Sequence, residues 1–126
     1  MIDCLFCDRI NTTQHHIILE SDETYVRWDN MPVSQGHLEI VPKRHVVSFF
    51  ELTEQELSSI YKLMIQAKGL LDKKYSPAGY TIGVNEGEAA GRTIHHLHIH
   101  LIPRYLGDVK NPRGGIRHII PGKGSY

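Results

Sequence analysis

Runs of apolar and β-branched residues predict five short strands in this chain. Such runs, bounded by turn residues, are typical of strands, and here they cover residues 15–20, 24–28, 37–41, 80–84 and 94–102. The intervening segments are rich in Asp, Ser, Asn, Gly and Pro, which favour turns. Short strands joined in this way predict a mostly antiparallel sheet.

A different period, that of a helix, runs from about Thr53 to Lys74. Thr53 and Glu56 have the spacing of a capping box, and Leu52 is placed to pack on Leu57 across the helix start. An apolar stripe at helical spacing follows, formed by Leu57, Ile60, Tyr61, Met64, Ala67 and Leu71. One long helix among short strands predicts an α+β fold, with residues 1–126 as a single domain.

Composition places the chain among ordinary globular proteins, with 40% hydrophobic and 22% charged residues. No apolar run approaches the ~20 residues needed to span a bilayer, so we expect no membrane partner. The acidic amino terminus does not resemble a secretory signal, and two cysteines are too few for a disulfide scaffold. We therefore expect a reducing, cytoplasmic location.

The net charge is zero, but its distribution along the chain is uneven. Residues 1–91 hold 8 Lys and Arg against 13 Asp and Glu, whereas residues 92–126 hold 6 basic residues against Asp108 alone. A basic segment favours an anionic ligand such as phosphate, and a solvated tail is an equally good interpretation. Because the whole chain is neutral, the composition does not favour nucleic-acid binding.

The most informative segment is Ile94–Arg104, which contains four of the nine histidines. His96, His98 and His100 are spaced by two, so on a strand they would share one face, opposite Leu97, Ile99 and Leu101. Incidental placement of three histidines in register is improbable. A single ion binding all three is also disfavoured, because His96 and His100 would be about 13 Å apart along a straight strand.

Nucleophilic catalysis by one imidazole is the remaining interpretation. A neutral imidazole can attack phosphorus and form a phosphoramidate, provided that its other nitrogen is held as N–H. Its neighbours can then bind phosphate oxygens or protonate the leaving group. His98 lies in the middle of the three, so we predict that it is the nucleophile, with His96 and His100 as its catalytic partners.

These residues resemble a known family. The segment His96-Leu97-His98-Ile99-His100-Leu101-Ile102 resembles the signature of the histidine triad (HIT) nucleotide hydrolases and transferases, which alternates histidine with apolar residues. The resemblance extends over nearly the whole chain, through Asp29 with Pro32, Gly36 and His37, through Ile40–His45, and through Asn85–Gly87 and Gly91–Thr93. It implies a five-stranded antiparallel half-barrel with one long helix and a short N-terminal helix.

The resemblance also implies roles for individual residues. His98 would be transiently nucleotidylated on an α-phosphate, Asp29 would bind the ribose hydroxyls, and Asn85, Thr93 and His100 would surround the phosphates. Two subunits would form a homodimer with a continuous ten-stranded sheet. The family often has Gln where this chain has Arg92; its guanidinium could favour a longer polyphosphate, or it could point to solvent.

Cys4 and Cys7 have two interpretations, a redox pair or half of a zinc site. No thioredoxin-like βαβ unit follows them, which disfavours the redox pair. Many bacterial members of the family carry a similar pair, and the resemblance implies a structural zinc held by Cys4, Cys7, His45 and His96. A nucleophile cannot give its lone pair to a metal, so His98 would remain outside that site.

We therefore predict a homodimeric histidine triad enzyme acting on a nucleotide substrate. Pro103-Arg104 after the triad resembles the diadenosine-polyphosphate hydrolase branch, and magnesium could accompany such a substrate. The alternatives are a purine nucleoside phosphoramidase of the same family, or a non-catalytic module that binds nucleotide or senses zinc.

Overall fold

The computed structural model describes residues 4–8 and 16–126. Within these residues, five strands form one antiparallel sheet in the order β1-β2-β3-β5-β4. The strands are β1 (Ile17–Glu20), β2 (Thr24–Trp28), β3 (Leu38–Pro42), β4 (Gly79–Gly83) and β5 (Ile99–Arg104). The predicted α+β fold is confirmed. His15, at the start of the first predicted strand, lies outside the described residues.

The long helix, α1, spans Glu54–Tyr75 and packs on the face formed by β1, β2 and β3. The predicted capping box is present, since the Thr53 hydroxyl accepts the Glu56 N–H and the Glu56 carboxylate accepts the Thr53 N–H. These bonds satisfy two of the four backbone donors that every helix start leaves open. Short 3₁₀ helices cover Phe49–Glu51, Glu88–Ala90 and Gly115–Ile119.

The buried stripe of α1 differs from the prediction. Leu57 and Tyr61 are 45% and 63% exposed, and the buried positions are Glu56, Ile60, Leu63, Ala67 and Leu71. Glu56 can be buried because its carboxylate receives two bonds from the Arg44 guanidinium in addition to the capping bond. The helix is therefore rotated relative to the predicted stripe, and Leu57 and Tyr61 face outward.

The two faces of the sheet carry separate apolar clusters, because successive strand residues point to opposite sides. The cluster under α1 includes Val26, Leu38, Ile40, Ile99 and Leu101. On the other face, Phe6 from the N-terminal turn packs with Tyr25 and Val41. Residues 4–8 form a turn, closed by a bond from the Asp8 N–H to the Cys4 carbonyl, and not a helix. The rest of the N-terminal segment, where a short helix is predicted, lies outside the described residues. In the described part of the chain no helix is long and apolar enough to cross a membrane.

The strand that carries the histidines is shorter than predicted, because it begins at Ile99 and not at Ile94. Extending the β3–β5 register would place Leu97 opposite Pro42, which has no N–H to donate. The Leu97 N–H instead bonds to the Val46 carbonyl, and the Pro42 carbonyl is taken by the His96 ring. His96 and His98 therefore precede the strand, and only His100 lies on it.

Candidate functional site

A pocket of about 340 Å³ opens on the sheet face opposite α1. Six of the predicted site residues line it, namely Asp29, Asn85, Arg92, Thr93, His98 and His100. His96, the seventh, is fully buried and is not part of the lining. The rest of the lining comprises Leu5, Phe6, Arg27, Asn30, Met31, Glu39, Gly91 and Ile94.

The ring of His98 is held in one orientation by a backbone bond. Its Nδ1 lies 2.8 Å from the carbonyl oxygen of His96, so Nδ1 carries the hydrogen and donates it. The lone pair is then on Nε2. Burial lowers the pKa of His98, against the opposing effects of the carbonyl bond and of Asp29. A neutral ring with a free Nε2 lone pair is the form that can attack phosphorus.

A chain of hydrogen bonds also orients the ring of His100. The Val33 N–H donates to Nδ1 of His37, so the hydrogen of His37 is on Nε2, which lies 2.8 Å from Nδ1 of His100. His100 therefore accepts at Nδ1 and carries its own hydrogen on Nε2, where it can donate to a ligand. Burial, with the neighbouring His98 and His37, lowers the pKa of His100 to about 4.

Asp29, directly after β2, lies beside both histidines of this hydrogen-bonded series. Its Oδ2 lies 3.4 Å from Nε2 of His37 and 3.8 Å from Nδ1 of His100, and its Oδ1 accepts the Met31 N–H. Gly36, at φ +90°, allows the turn that brings His37 into this position, in a conformation that other residues rarely adopt. His37 is part of the segment that resembles the family, but the sequence does not predict that His37 orients His100.

Arg27 and Glu39 form a charged pair on the floor of the pocket, and neither was predicted as a site residue. Arg27 is 1% exposed and Glu39 is 6% exposed, with Nε and Oε1 3.7 Å apart. Register explains the position, because Arg27 is opposite Glu39 and Glu39 is opposite His100. Burial, with the carboxylate of Asp29, raises the pKa of Glu39 to about 8, although Arg27 acts in the opposite direction. The sequence feature that could have indicated this pair is the presence of a charged residue in each of two otherwise mainly apolar strands.

This raised pKa predicts a specific dependence of stability on pH. Between its ordinary value of 4.5 and about 8, the folded chain keeps a proton on Glu39 that the unfolded chain has released. Wild-type stability should therefore fall relative to Glu39→Gln as the pH rises from 5 to 8.5, by about 4 kcal/mol. Urea unfolding of both proteins across this range measures the difference.

Glu56→Gln is the matched control, because the Arg44 guanidinium holds the pKa of Glu56 down at about 2. Its stability difference from the wild type should stay constant over the same range. A constant difference for Glu39→Gln as well would contradict the assignment of a protonated Glu39.

Arg92 lies against the pocket and does not point to solvent. Its side chain is 16% exposed, and its Nη1 is 3.9 Å from Oε2 of Glu86, which in turn accepts the Phe49 N–H through Oε1. Nε of Arg92 is buried and has no hydrogen-bond partner within the described residues. A buried guanidinium N–H is costly unless it is satisfied, so this group is suited to binding an anionic ligand.

The other basic residues of the C-terminal segment lie away from this lining. Arg104 pairs with Asp108, and the guanidinium groups of Arg113 and Arg117 lie over the ring of Tyr126. The predicted positive field around the histidines thus rests mainly on Arg92 and Arg27, and Arg27 belongs to the half of the chain that is acidic in sequence.

The four predicted metal ligands come together beside the pocket. The Sγ atoms of Cys4 and Cys7 lie 3.3 and 3.4 Å from Nδ1 of His96, and Sγ of Cys7 lies 3.1 Å from Nδ1 of His45. Tetrahedral coordination with ordinary zinc bond lengths requires ligand separations of about 3.5 Å. His96 is also held as zinc ligands usually are, because its Nε2–H donates to the Pro42 carbonyl and leaves the Nδ1 lone pair for an ion.

Phe6, between the two cysteines, connects this cluster to the pocket. Its ring lies 4.8 Å from the ring of His98, and its carbonyl accepts the Tyr25 hydroxyl. Of the two roles predicted for His96, the geometry supports that of metal ligand, because both ring nitrogens face groups outside the pocket.

Comparison with known proteins agrees with the family resemblance seen in the sequence. A model of the protein family described as the HIT domain matches residues 11–107. An uncharacterised HIT-like protein of Methanocaldococcus jannaschii is 36% identical over 106 residues, which are 83% of this chain and 81% of that protein. The bis(5'-adenosyl)-triphosphatase of Dictyostelium discoideum is 29% identical over 98 residues, 78% of this chain and 66% of that enzyme.

Solved structures of similar chains have the same architecture. A HIT family protein from Bacillus anthracis superposes with a TM-score of 0.75 at 32% identity, covering 82% of this chain and 74% of that one. A zinc-bound histidine triad family protein from Mycobacterium smegmatis also gives a TM-score of 0.75, at 25% identity, covering 86% of this chain and 80% of that one.

Proposed function

The chain belongs to the HIT domain family, and from this premise we propose that it hydrolyses dinucleoside polyphosphates of the diadenosine type through a covalent nucleotidyl group on His98. The observation that carries the proposal is the bond from Nδ1–H of His98 to the His96 carbonyl, which leaves the Nε2 lone pair in a pocket with phosphate-binding donors. The similarity to the Dictyostelium bis(5'-adenosyl)-triphosphatase supports this substrate class.

In the first step, Nε2 of His98 attacks the α-phosphorus. A nitrogen–phosphorus bond forms and the bond from phosphorus to the bridging oxygen breaks. The positive charge that develops on the ring is stabilised by the Nδ1–H bond to the His96 carbonyl. Nε2–H of His100, the nitrogen that the His37 bond leaves protonated, donates a hydrogen bond to the bridging oxygen, and the polyphosphate departs as an anion that keeps the electron pair of the broken bond.

In the second step, water attacks the same phosphorus and the proton that it releases passes to solvent. The nitrogen–phosphorus bond breaks, a nucleoside monophosphate leaves, and Nε2 of His98 regains its lone pair. Among the lining residues, Asn85, Arg92 and Thr93 would bind the phosphates and Asp29 the ribose. Leu5 and Phe6, which also line the pocket, offer an apolar surface to the base.

We propose that the cluster beside the pocket holds a structural zinc ion. Two thiols and two imidazole nitrogens are the donors that zinc prefers, and the four ligand atoms lie within 4.8 Å of one another. The ion would fix the Cys4–Cys7 turn against the sheet and would leave the reaction to His98 and His100. Magnesium would enter only with a polyphosphate substrate.

We propose that residues 1–126 form a single domain and that two copies of it form a homodimer. The exposed face of α1 supports the homodimer. Leu57, Tyr61 and Ile65 are 45%, 63% and 53% exposed and lie four residues apart, so they share one face of the helix. Strand β4 forms an edge of the sheet, as a ten-stranded sheet across two subunits requires. We also propose a cytoplasmic enzyme that has no nucleic-acid or membrane partner.

A substrate comparison tests the proposal. The enzyme should cleave diadenosine tetraphosphate with a kcat/KM at least about tenfold above that for adenosine phosphoramidate. Arg92→Gln should reduce kcat/KM for the polyphosphate about tenfold, the value of one hydrogen bond to a charged group, and leave the phosphoramidate nearly unchanged.

Arg113→Gln, which removes an arginine that contacts Tyr126 outside the pocket lining, is the matched control and should affect neither substrate. A preference for the phosphoramidate would support the phosphoramidase alternative. Nucleotide binding without turnover of either substrate would support a non-catalytic module.

A further inference from the structure

The charged pair formed by Arg27 and Glu39 has no part in the reaction described above. Both residues are more than nine-tenths buried, and both line the pocket. Arg27 is held from three sides, by Glu39, by the Asn30 side-chain oxygen at 2.7 Å, and by the Phe6 ring with its centroid 5.1 Å away. Glu39 is thus presented to the pocket on a rigid support.

The sheet does not need this pair for stability. Removing the Arg27 guanidinium and the Glu39 carboxyl from water costs free energy, so that a buried pair of this kind is often no better than apolar residues of similar volume. Tyr25 and Val41, on the same face of the same strands, are apolar contacts of that kind. A charged pair on the floor of a binding pocket therefore indicates recognition of a polar part of the ligand.

The surroundings of Glu39 indicate which part of the ligand it meets. The carboxyl group of Asp29 lies near enough to raise the pKa of Glu39, and both residues line the pocket. One carboxyl oxygen of Glu39 also lies within 4.8 Å of ring nitrogens of His98 and His100. Glu39 and Asp29 thus both lie beside His100, next to His98, where the sugar is expected if the α-phosphate of a nucleotide is at His98.

We propose that Glu39 is a second sugar-binding residue, which together with Asp29 binds the two ribose hydroxyls and selects ribonucleotides over deoxyribonucleotides. This inference rests on the proposed function, since the position of the sugar follows from the α-phosphate at His98. Two neighbouring carboxyl groups are well suited to a cis-diol, because each can take one hydroxyl. Arg27 is a positioning residue, whose Nε lies 3.7 Å from Oε1 of Glu39.

The protonation state of Glu39 fits this role. Its raised pKa of about 8 makes it largely a neutral acid near pH 7. A neutral carboxyl can donate one hydrogen bond and accept another, and it does not repel the α-phosphate. Glutamine has the same shape and the same donor and acceptor capacity, so Glu39→Gln should retain most of the selectivity.

Calorimetry with AMP, 2'-deoxy-AMP and 3'-deoxy-AMP tests the inference without requiring turnover. The wild type should bind AMP more tightly than either deoxynucleotide. The double variant Arg27→Leu, Glu39→Leu removes both polar side chains together. Its discrimination against the deoxynucleotide that lacks the hydroxyl bound by Glu39 should fall about tenfold. Its discrimination against the deoxynucleotide that lacks the hydroxyl bound by Asp29 should remain. Glu39→Gln should stay within about threefold of the wild type.

Glu56→Gln, which disrupts a charged pair outside the pocket lining, is the matched control and should leave both ratios unchanged. Thermal unfolding of each variant verifies that it is folded. If the double variant weakens all three nucleotides equally, or keeps both ratios, the sugar-binding role of Glu39 is wrong while the proposed function stands. If the wild type binds none of the three, the proposed function fails and this inference fails with it.

Discussion

A His98→Asn variant is expected to lose at least about 10⁴-fold in kcat for diadenosine tetraphosphate, the scale of effect seen when a covalent nucleophile is removed. Asparagine keeps a side-chain N–H that can donate to the His96 carbonyl, so the local structure should survive. It provides no lone pair at the position of Nε2. Steady-state kinetics with purified protein measures the change.

His95→Asn is the matched control, because His95 is the adjacent histidine in sequence, is exposed and does not line the pocket. It should retain turnover within about twofold, as is usual for a surface substitution. If His98→Asn kept a tenth or more of wild-type activity, the covalent mechanism would be wrong. In that case water would have to attack phosphorus directly.

The second large effect is expected from loss of the metal site. A Cys7→Ser variant should contain less than one tenth of the zinc found in the wild type and should lose about 4 kcal/mol or more of unfolding free energy. A structural zinc contributes its binding energy to folding, and here it would join the N-terminal turn to His45 and His96. Elemental analysis and urea unfolding measure the two quantities independently of activity.

His118→Ala is the control for general loss of a histidine, since His118 is exposed, bonds to the Arg113 carbonyl and is not one of the four clustered ligands. It should retain both zinc and stability. A wild-type protein that is purified without zinc and unfolds at the same urea concentration as Cys7→Ser would rule out the structural ion.

Loss of zinc should also reduce activity, through two contacts. The carbonyl that holds His98 belongs to His96, which is itself a proposed metal ligand. Phe6, whose ring packs against His98, lies between the two cysteines. The wild type treated with a strong chelator should therefore lose turnover in parallel with its zinc content.

The elements predicted best were those specified by neighbouring residues. The capping box of Thr53 and Glu56 locates the start of α1 because it depends on residues three apart. The apolar alternation of Leu97, Ile99 and Leu101 likewise identified residues that are all buried. For the site, the histidine pattern and the family resemblance together indicated the residues that line the pocket.

The features that were not predicted depend on residues distant in sequence. Strand β5 begins late because of the Pro42 residue on β3, 54 positions before the histidine whose ring bonds to it. The pair of Arg27 and Glu39 becomes visible only when the register of β2 and β3 is known. The outward position of Leu57 and Tyr61 reflects how α1 packs on the sheet, and periodicity alone did not determine that rotation.

The central claim is that Nε2 of His98 forms a bond to phosphorus, and one measurement tests it directly. Diadenosine tetraphosphate is mixed with excess enzyme, quenched within milliseconds under alkaline denaturing conditions that preserve phosphoramidates, and analysed by intact-mass and peptide mass spectrometry. We predict a transient adduct with the mass of one adenylyl group, located on His98, formed by the wild type and by His95→Asn but not by His98→Asn. An adduct on another residue, or turnover at the wild-type rate with no adduct at any time point, would contradict the account.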